Sequence, residues 1–292
     1  MIVVNLMGGL GNQMFQYALG RKLAYLHQTE LLLDCTFLNT HNPLHIKREY
    51  ELDVFKIKAS IATDNELKKF RSRQRNSFFQ RIYKLAPALF SYHVITERTH
   101  AFDPTVLSAP DNSWLNGFWQ TEKYFTDIEK IIRADFEFKT PVQGSNKQLA
   151  DELLNCNGVS IHVRRGDYTN PETLSFHGIC NPDYYYRAVD VLSQKTSIDK
   201  LIVFSDDSAW VKQNLSFNLP VTHIDHNTGK NSFEDLRLMS LCKHNITANS
   251  SFSWWGAWLN ATKNKTVIAP KNWIADKTVD TSDVIPVNWI SL

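Results

Sequence analysis

Two adjacent arginines, Arg164 and Arg165, follow the β-branched run "GVSIHV" and precede Gly166. Arginine is always charged, and its planar fork of donors matches the oxygens of a phosphate. An ion pair with Asp167 on a solvated loop is the plainer role for a single arginine. A pair at a strand's carboxyl end, ahead of a glycine, points to an anion site. A second anion candidate is "NSSFSWWGAWL", where Ser250, Ser251 and Ser253 stand at the start of an expected helix. Free N–H groups there favour phosphate, and hydroxyls add donors. The alternative is a plain N-cap with no ligand. Trp254, Trp255 and Trp258 read as core residues of that helix rather than as sugar platforms.

Asp206 and Asp207 close a third apolar run, "KLIVFSDD". Adjacent carboxylates can hold a metal, but no D-x-D occurs in the chain. A carboxylate can instead accept the N1–H and N2–H₂ edge of guanine, or cap a helix. The fourth stretch is "MGGLGNQ" after "MIVVNL". It lacks the G-K-[ST] of a P-loop, and Met14 stands where a dinucleotide fingerprint needs its third glycine. The loop can still bring backbone close to a ligand, with Asn12 and Gln13 as polar contacts.

These residues need strands to aim them. "MIVVNL", a glycine loop, the helical stretch "MFQYALGRKLAYLHQ" and "TELLLDC" form a β-loop-α-β opening, with Phe15, Leu19, Leu23 and Leu26 on one helix face. "SWLNGFWQ" reads as a strand, "TEKYFTDIEKIIRADF" as a helix, and residues 64–90 as an irregular basic stretch. The polar segment 140–148 is the expected linker, giving domains of 1–148 and 149–292. From about residue 157 to 270, strands and helices alternate as in a doubly wound domain. The expected fold is α/β with two Rossmann-like domains. In open parallel sheets ligands bind beyond the carboxyl ends of strands, and all four candidate stretches fall there.

The 292 residues are 43% hydrophobic and 21% charged, with a net charge of +2. A bulk nucleic-acid binder is therefore not expected. Cys35, Cys156, Cys180 and Cys242 form no CxxC pair, so zinc and redox motifs are absent. They read as free thiols. "MIVVNLMGGLGNQ" lacks a basic n-region, and no apolar run approaches eighteen residues. The expectation is a cytoplasmic protein. Sequons at Asn214, Asn245, Asn249, Asn260 and Asn264 then read as accidental, and so does the RGD tripeptide. Residues 68–84 carry Lys68, Lys69, Arg71, Arg73, Arg75, Arg81 and Lys84 among Phe70, Phe78, Phe79 and Tyr83. A solvated helix face is the plain reading. An RNA-binding surface, or peripheral association with the inner membrane surface, is the alternative.

The residues alone imply two α/β domains, a diphosphate-like anion site in the second, and no metal cage. That suits a nucleotide-sugar transferase. "MGGLGNQMFQYA", "HVRRGDY", "FSDD" and "NSSFSWWGAWL", in this order and spacing, resemble the inverting fucosyltransferases of glycosyltransferase family 11. "LNGFWQTEKYF" and "HGICNPDYYYRAV" resemble it too. The resemblance implies a GT-B-like fold with its domains facing a cleft, and the acceptor on the N-terminal side. It implies GDP-β-L-fucose as donor and the 2-hydroxyl of a terminal galactose as acceptor, with no metal or other cofactor. It places Arg164 on the β-phosphate, with Arg165 also in the motif. It places Asp207 and the His162 region at guanine. Ser250, Ser251, Phe252 and Ser253 would line the diphosphate, with Asn12 and Gln13 reaching the donor from the other domain. Inversion calls for a general base, for which Asp34, Glu49, Asp103 and Glu122 are candidates. Transfer with another linkage and a non-catalytic nucleotide-sugar-binding protein are the competing readings.

Overall fold

The computed structural model describes residues 1–39, 48–74 and 91–292. They form two units, Met1–Lys139 and Thr140–Leu292. Each is built on its own parallel sheet.

The first sheet has the order β3-β2-β1-β5-β4, with β1 (Ile2–Asn5), β2 (Leu31–Asp34), β3 (Ser60–Ile61), β4 (His93–Thr96) and β5 (Ser113–Asn116). The helix Leu10–His27 links β1 to β2, as the opening pattern predicts. It lies close to the sheet at Gly20, where an added Cβ would stand 2.3 Å from Val4. From β1 the chain runs outward through β2 and β3, then returns on the other side through β4 and β5. The β1/β5 boundary is therefore this sheet's topological switch point.

The second sheet has the order β11-β10-β9-β6-β7-β8. Its strands are β6 (Gly158–Val163), β7 (Lys200–Ser205), β8 (Val221–Ile224), β9 (His244–Ile246), β10 (Val267–Ala269) and β11 (Ile290–Ser291). β6 is buried throughout because it is central and covered on both faces. The helix Pro182–Ser193 shows how the sequence secures one face. Asn181 caps it by accepting from Tyr184 N at 3.0 Å, and Pro182 presets its first turn. Tyr184, Tyr185, Ala188, Val189 and Leu192 recur at helical spacing and pack on Val159, Ile161 and Val203. Burying Leu192 alone contributes about 2 kcal/mol. The switch point here is between β6 and β9.

The units divide at Lys139, nine residues before the expected boundary of 148. The polar segment read as a linker begins the helix Gly144–Asn155. Leu149, Ala150 and Leu153 give it an apolar stripe buried against Ile202, Phe204 and Leu238. Residues 64–74 are likewise a helix rather than irregular chain. Thr63 and Glu66 start it with reciprocal bonds: Thr63 N donates to Glu66 Oε2 at 2.6 Å, and Glu66 N to Thr63 Oγ1 at 3.4 Å. Phe70 is not part of an exposed basic and aromatic face: it is buried beside Val3, Leu32 and Leu67. Lys68 and Lys69 are exposed, and residues 75–84 lie outside the described residues.

Candidate active site

At the carboxyl end of β6 the two arginines are held in place by the end of β7. Asp206 Oδ1 accepts the Arg165 backbone N–H at 2.8 Å, and Asp206 Oδ2 pairs with Arg164 Nη1 at 2.7 Å. Gly166 makes room for that carboxylate, since an added Cβ would stand 2.5 Å from Asp206 Oδ2. Arg164 also pairs through Nη2 with Asp167, and its guanidinium carbon lies 5.2 Å from the Tyr168 ring centroid. The ion pair weighed against an anion role thus exists. It does not exhaust a group with five N–H donors.

Arg165 is gripped differently. Its guanidinium carbon lies 3.7 Å from the Trp210 ring centroid, and Nε is 3.4 Å from Asp207 Oδ2. About a fifth of each arginine side chain is exposed, so both are reachable from solvent.

Across the switch point stands the loop after β9. Ser250 is the N-cap of the helix Ser251–Leu259 in extended conformation, and its hydroxyl does not cap the helix. Asn249 anchors the loop by donating to the carbonyls of His177 at 2.9 Å and Gly178 at 3.3 Å. Trp254, Trp255 and Trp258 are buried, so the tryptophans are core, as expected. Phe252 lies between the two loops, its ring 5.8 Å from that of His162. His162 is buried and its Nδ1 has no hydrogen-bond partner. Burial, reinforced by Arg164, pushes its pKa down to about 3. It is a neutral imidazole at any working pH. His162, Arg164, Arg165, Asp207 and Ser250–Ser253 therefore share one edge of one sheet.

A second cluster lies on the same edge, beyond β8. Thr140, Gln143, Asn146, Asn227, Phe233 and Glu234 line a pocket of about 350 Å³. Glu234 Oε2 is buried without a hydrogen-bond partner, although Arg237 Nε lies 3.4 Å away. The contact is an ion pair without hydrogen-bond alignment. Neighbouring Asp235 accepts from Asn227 Nδ2 at 2.8 Å, and burial with Glu234's charge raises its pKa to about 7.

In the first unit the glycine loop after β1 is tied down internally. Gly8 takes the left-handed conformation with φ +75°. Glu51, held above the usual carboxylate range chiefly by burial, accepts from Leu10 N–H at the start of the helix Leu10–His27. That helix N-terminus is thus already met by a carboxyl group of the same unit.

A model of glycosyl transferase family 11 matches residues 1–292. The chain belongs to this family. Within it, the chain is similar to an alpha-1,2-colitosyltransferase of Escherichia coli, 32% identical over 100% of this chain and 98% of that one. It is similar too to the O-antigen biosynthesis glycosyltransferase WbnK of Escherichia coli, 33% identical over 98% and 99%. Human galactoside alpha-(1,2)-fucosyltransferase 1 is 25% identical over 50% of this chain and 42% of its own. Among solved structures, NodZ alpha-1,6-fucosyltransferase from a crystal soaked with GDP-fucose has a TM-score of 0.52 at 14% identity, covering 88% and 91%. Arabidopsis thaliana FUT1 with GDP has a TM-score of 0.53 at 13% identity, covering 91% and 69%. The fold is α/β of the GT-B fucosyltransferase kind.

In this family 11 chain several of the expected site residues have partners within the protein. Gln13 is fully buried, and its amide is spent on backbone: Nε2 donates to Gly8 O at 3.0 Å and Glu49 O at 2.8 Å, and Oε1 accepts from Glu51 N. It shapes the glycine loop rather than meeting a ligand. Asp207 Oδ1 accepts from Trp210 N at 3.1 Å as the N-cap of the helix Ser208–Asn214, while Oδ2 faces Arg165. Each oxygen keeps a further lone pair, and about a third of the side chain is exposed, so a ligand can still reach it. The Ser253 hydroxyl is buried and donates to Ser250 O at 3.3 Å, so it braces the turn.

Two base candidates have structural duties. Asp34 is buried, accepting from Thr36 N at 3.0 Å and Trp114 Nε1 at 3.1 Å. Asp103 caps the 3₁₀ turn Pro104–Ser108. Glu49 is exposed, Glu122 opens the 3₁₀ turn Glu122–Tyr124, and neither position marks it as a base. Sequence reading missed Trp210, the Glu234–Asp235 pair, and the bracing of both arginines by Asp206. Only the doubled aspartate hinted at the last. Asn245, Asn249 and Asn260 are buried, so those sequons are unavailable to a glycosylating enzyme. All four cysteines are free, and Cys180 and Cys242 are buried.

Proposed function

We propose that this family 11 glycosyltransferase moves L-fucose from GDP-β-L-fucose, with inversion, to the 2-hydroxyl of a terminal galactose in a glycan. The observation that carries this reading is the braced Arg164–Arg165 pair facing the Ser250 turn at the β6/β9 switch point. Cleavage of the sugar–phosphate bond places negative charge on the departing diphosphate. Donors fixed beforehand stabilise that charge more in the transition state than in the ground state. Arg164 takes the β-phosphate, and Arg165, stacked on Trp210, supports it. The N–H groups opening the helix Ser251–Leu259, with the Ser250 and Ser251 hydroxyls, meet the remaining phosphate oxygens. Asn12 is a further contact of the transferred sugar in this reading.

For guanine, the pocket beyond β8 is a second candidate beside Asp207. There, Phe233 offers an aromatic face, Asn227 and Asn146 offer amides, and Glu234 offers a carboxylate, with Asp235 behind Asn227. Glu234→Gln should weaken GDP binding tenfold or more, since it leaves guanine donors unpaired at roughly 1–3 kcal/mol, and Asp235→Asn should weaken it less, acting through Asn227. If the base sits in this pocket, Asp207→Asn, which keeps the cap, should bind GDP nearly as wild type; a tenfold loss there would return the base to Asp207, on the scale of leaving guanine donors unpaired. Calorimetry decides: unchanged affinity in both pocket variants removes the base from this pocket. Asp235 adds a pH signature. Its pKa of about 7 stands above an unfolded value of ~3.9, so the folded state holds the extra proton between them. Its stabilising contribution is complete below pH ~4 and is lost as pH rises through about 7. Asp235→Asn should therefore raise Tm at pH 8 and change it little at pH 4.

Two donors compete. Colitose is the 3-deoxy counterpart of fucose, and a full-length relative carries colitosyl transfer in its name. Equimolar GDP-fucose and GDP-colitose with lactose and other β-galactosides, followed by NMR of the product, tests donor and linkage together. A fucosylated product linked to galactose O2 supports the proposal. A product carrying only colitose, or linked elsewhere, refutes the finer reading. GDP binding with no turnover on any galactoside would favour a non-catalytic binder. The WbnK relative makes an O-antigen repeat a natural acceptor to include.

We further propose that transfer needs no metal. Among the described residues no group of three or more His, Cys, Asp or Glu is placed to hold one. Activity should persist in excess EDTA. Loss of turnover restored by Mn²⁺ or Mg²⁺ would overturn this. We place the enzyme in the cytoplasm, at a membrane face when its acceptor is lipid-linked; no helix among the described residues is long and apolar enough to cross a membrane.

A further inference from the structure

The first unit has its own switch point, between β1 and β5. Three side-chain amides bridge it. Asn5 Nδ2 donates to Asn116 Oδ1 at 2.9 Å. Gln16 accepts from Met7 N at 3.0 Å and donates to Gly117 O at 3.1 Å, joining the two loops. Gln120 Nε2 donates to Asn12 Oδ1 at 2.8 Å. The turn that delivers Gln120 is unusual. Trp119 is buried with φ +56°, a left-handed conformation that bulky residues rarely adopt. Strain of this kind persists only where the surroundings enforce it. The enforcing group is Glu97, just after β4. Its Oε2 accepts from Phe118 N at 2.7 Å and its Oε1 from Trp119 N at 2.9 Å. Gly117 is required for the approach, because a Cβ there would stand 2.4 Å from Glu97 Cβ.

We infer that Glu97 is a positioning residue: its carboxylate enforces the 117–120 turn, which aims Gln120 and thereby fixes the Asn12 side chain in the glycine loop. The inference rests on the proposed contact of Asn12 with the transferred sugar. Glu97 itself touches no substrate. With both oxygens engaged by backbone N–H groups, it is a clamp and not the general base.

Glu97→Gln is the sharp variant. It keeps shape and one acceptor, but turns an N–H₂ group against the second backbone N–H. Misplacement of a reacting partner by about 1 Å costs as much as 10² in rate. Glu97→Gln should lower kcat about tenfold, on that scale, while the Kd for GDP stays at the wild-type value. Circular dichroism and Tm confirm folding. Asn12→Ala serves as reference, and the double variant Glu97→Gln/Asn12→Ala closes the cycle. If Glu97 acts through Asn12, the double variant loses no more than Asn12→Ala alone. Wild-type kcat in Glu97→Gln beside an impaired Asn12→Ala would overturn the inference while sparing the site. Additive losses would overturn it too, because Glu97 would then act by another route. Wild-type kcat in Asn12→Ala would show that the reading of the glycine loop had failed, and the inference would fall with it.

Discussion

Arg164→Ala is expected to fold and to lose most of its kcat. The side chain is polar, lies at a strand end and is about a fifth exposed, so truncation opens no large core cavity. What goes is a charge-assisted donor aimed at the departing diphosphate. Removing one preorganised donor in comparable chemistry costs ~10²–10³ in rate, or about 2.7–4 kcal/mol. A second effect points the same way. Arg164 and Arg165 share this edge with Asp167, Asp206 and Asp207. Without Arg164, three carboxylates face one guanidinium, and an incoming diphosphate meets net repulsion. The donor KM should therefore rise as kcat falls. Arg164→Lys should recover little, because an ammonium keeps the charge but loses the fork that reaches Asp167 and Asp206 together. Steady-state kinetics, with circular dichroism to confirm folding, decide the matter. A folded Arg164→Ala enzyme keeping more than about a tenth of wild-type kcat, against that expected loss, would move leaving-group stabilisation elsewhere. Arg165 and the Ser250 turn would be examined next.

The sequence displays this site because strand ends in a parallel sheet are legible. An apolar β-branched run followed by charge and glycine marks where a buried strand meets solvent; β6 and β7 end close to where that reading puts them, and β9 ends at Ile246, two residues short of it. The bonds that brace these stretches against each other and against the rest of the fold are not legible in residue types alone. The sequence leaves Asp207 open between a ligand and a helix cap because its partners, Trp210 and Arg165, are set by the helix that follows and by a neighbouring strand. Gln13 looked like a ligand contact because the backbone groups that consume it, at Glu49 and Glu51, lie more than thirty-five residues away. The helix Gly144–Asn155 hid behind Pro141, Gly144 and polar residues, since its stability comes from packing Leu149 and Leu153 rather than from local propensity. Glu97 carried no signal at all. Only the left-handed turn at Trp119 shows what it does.

Asp206→Ala should reproduce much of the Arg164 defect without touching either arginine. Its carboxylate makes two contacts that truncation removes together: Oδ1 holds the Arg165 backbone N–H, and Oδ2 holds Arg164 Nη1. With both gone, Arg164 keeps Asp167 and the Tyr168 ring, which pull it toward the loop rather than toward β7. A guanidinium displaced by about 1 Å from its phosphate forfeits as much as 10² in rate, so kcat should fall by a comparable factor. Asp206→Asn should fall less. Its carbonyl oxygen can still accept from Arg165 N–H, while its amide N–H₂ now opposes Arg164 Nη1. Stability separates this from unfolding, because Asp206 is partly exposed and its loss leaves no apolar void. The double variant Arg164→Ala/Asp206→Ala supplies the decisive comparison. If Asp206 works by placing Arg164, the double variant is little worse than Arg164→Ala alone. Fully additive losses would mean that Asp206 acts on the donor directly. Gly166→Ala offers an independent approach to the same contact. The added methyl, 2.5 Å from Asp206 Oδ2 on unshifted coordinates, has to push that carboxylate away and should lower kcat by the same path. A Gly166→Ala enzyme with wild-type kcat would show that the Asp206 brace tolerates displacement, and that the arginines are positioned by Trp210 and Asp167 instead.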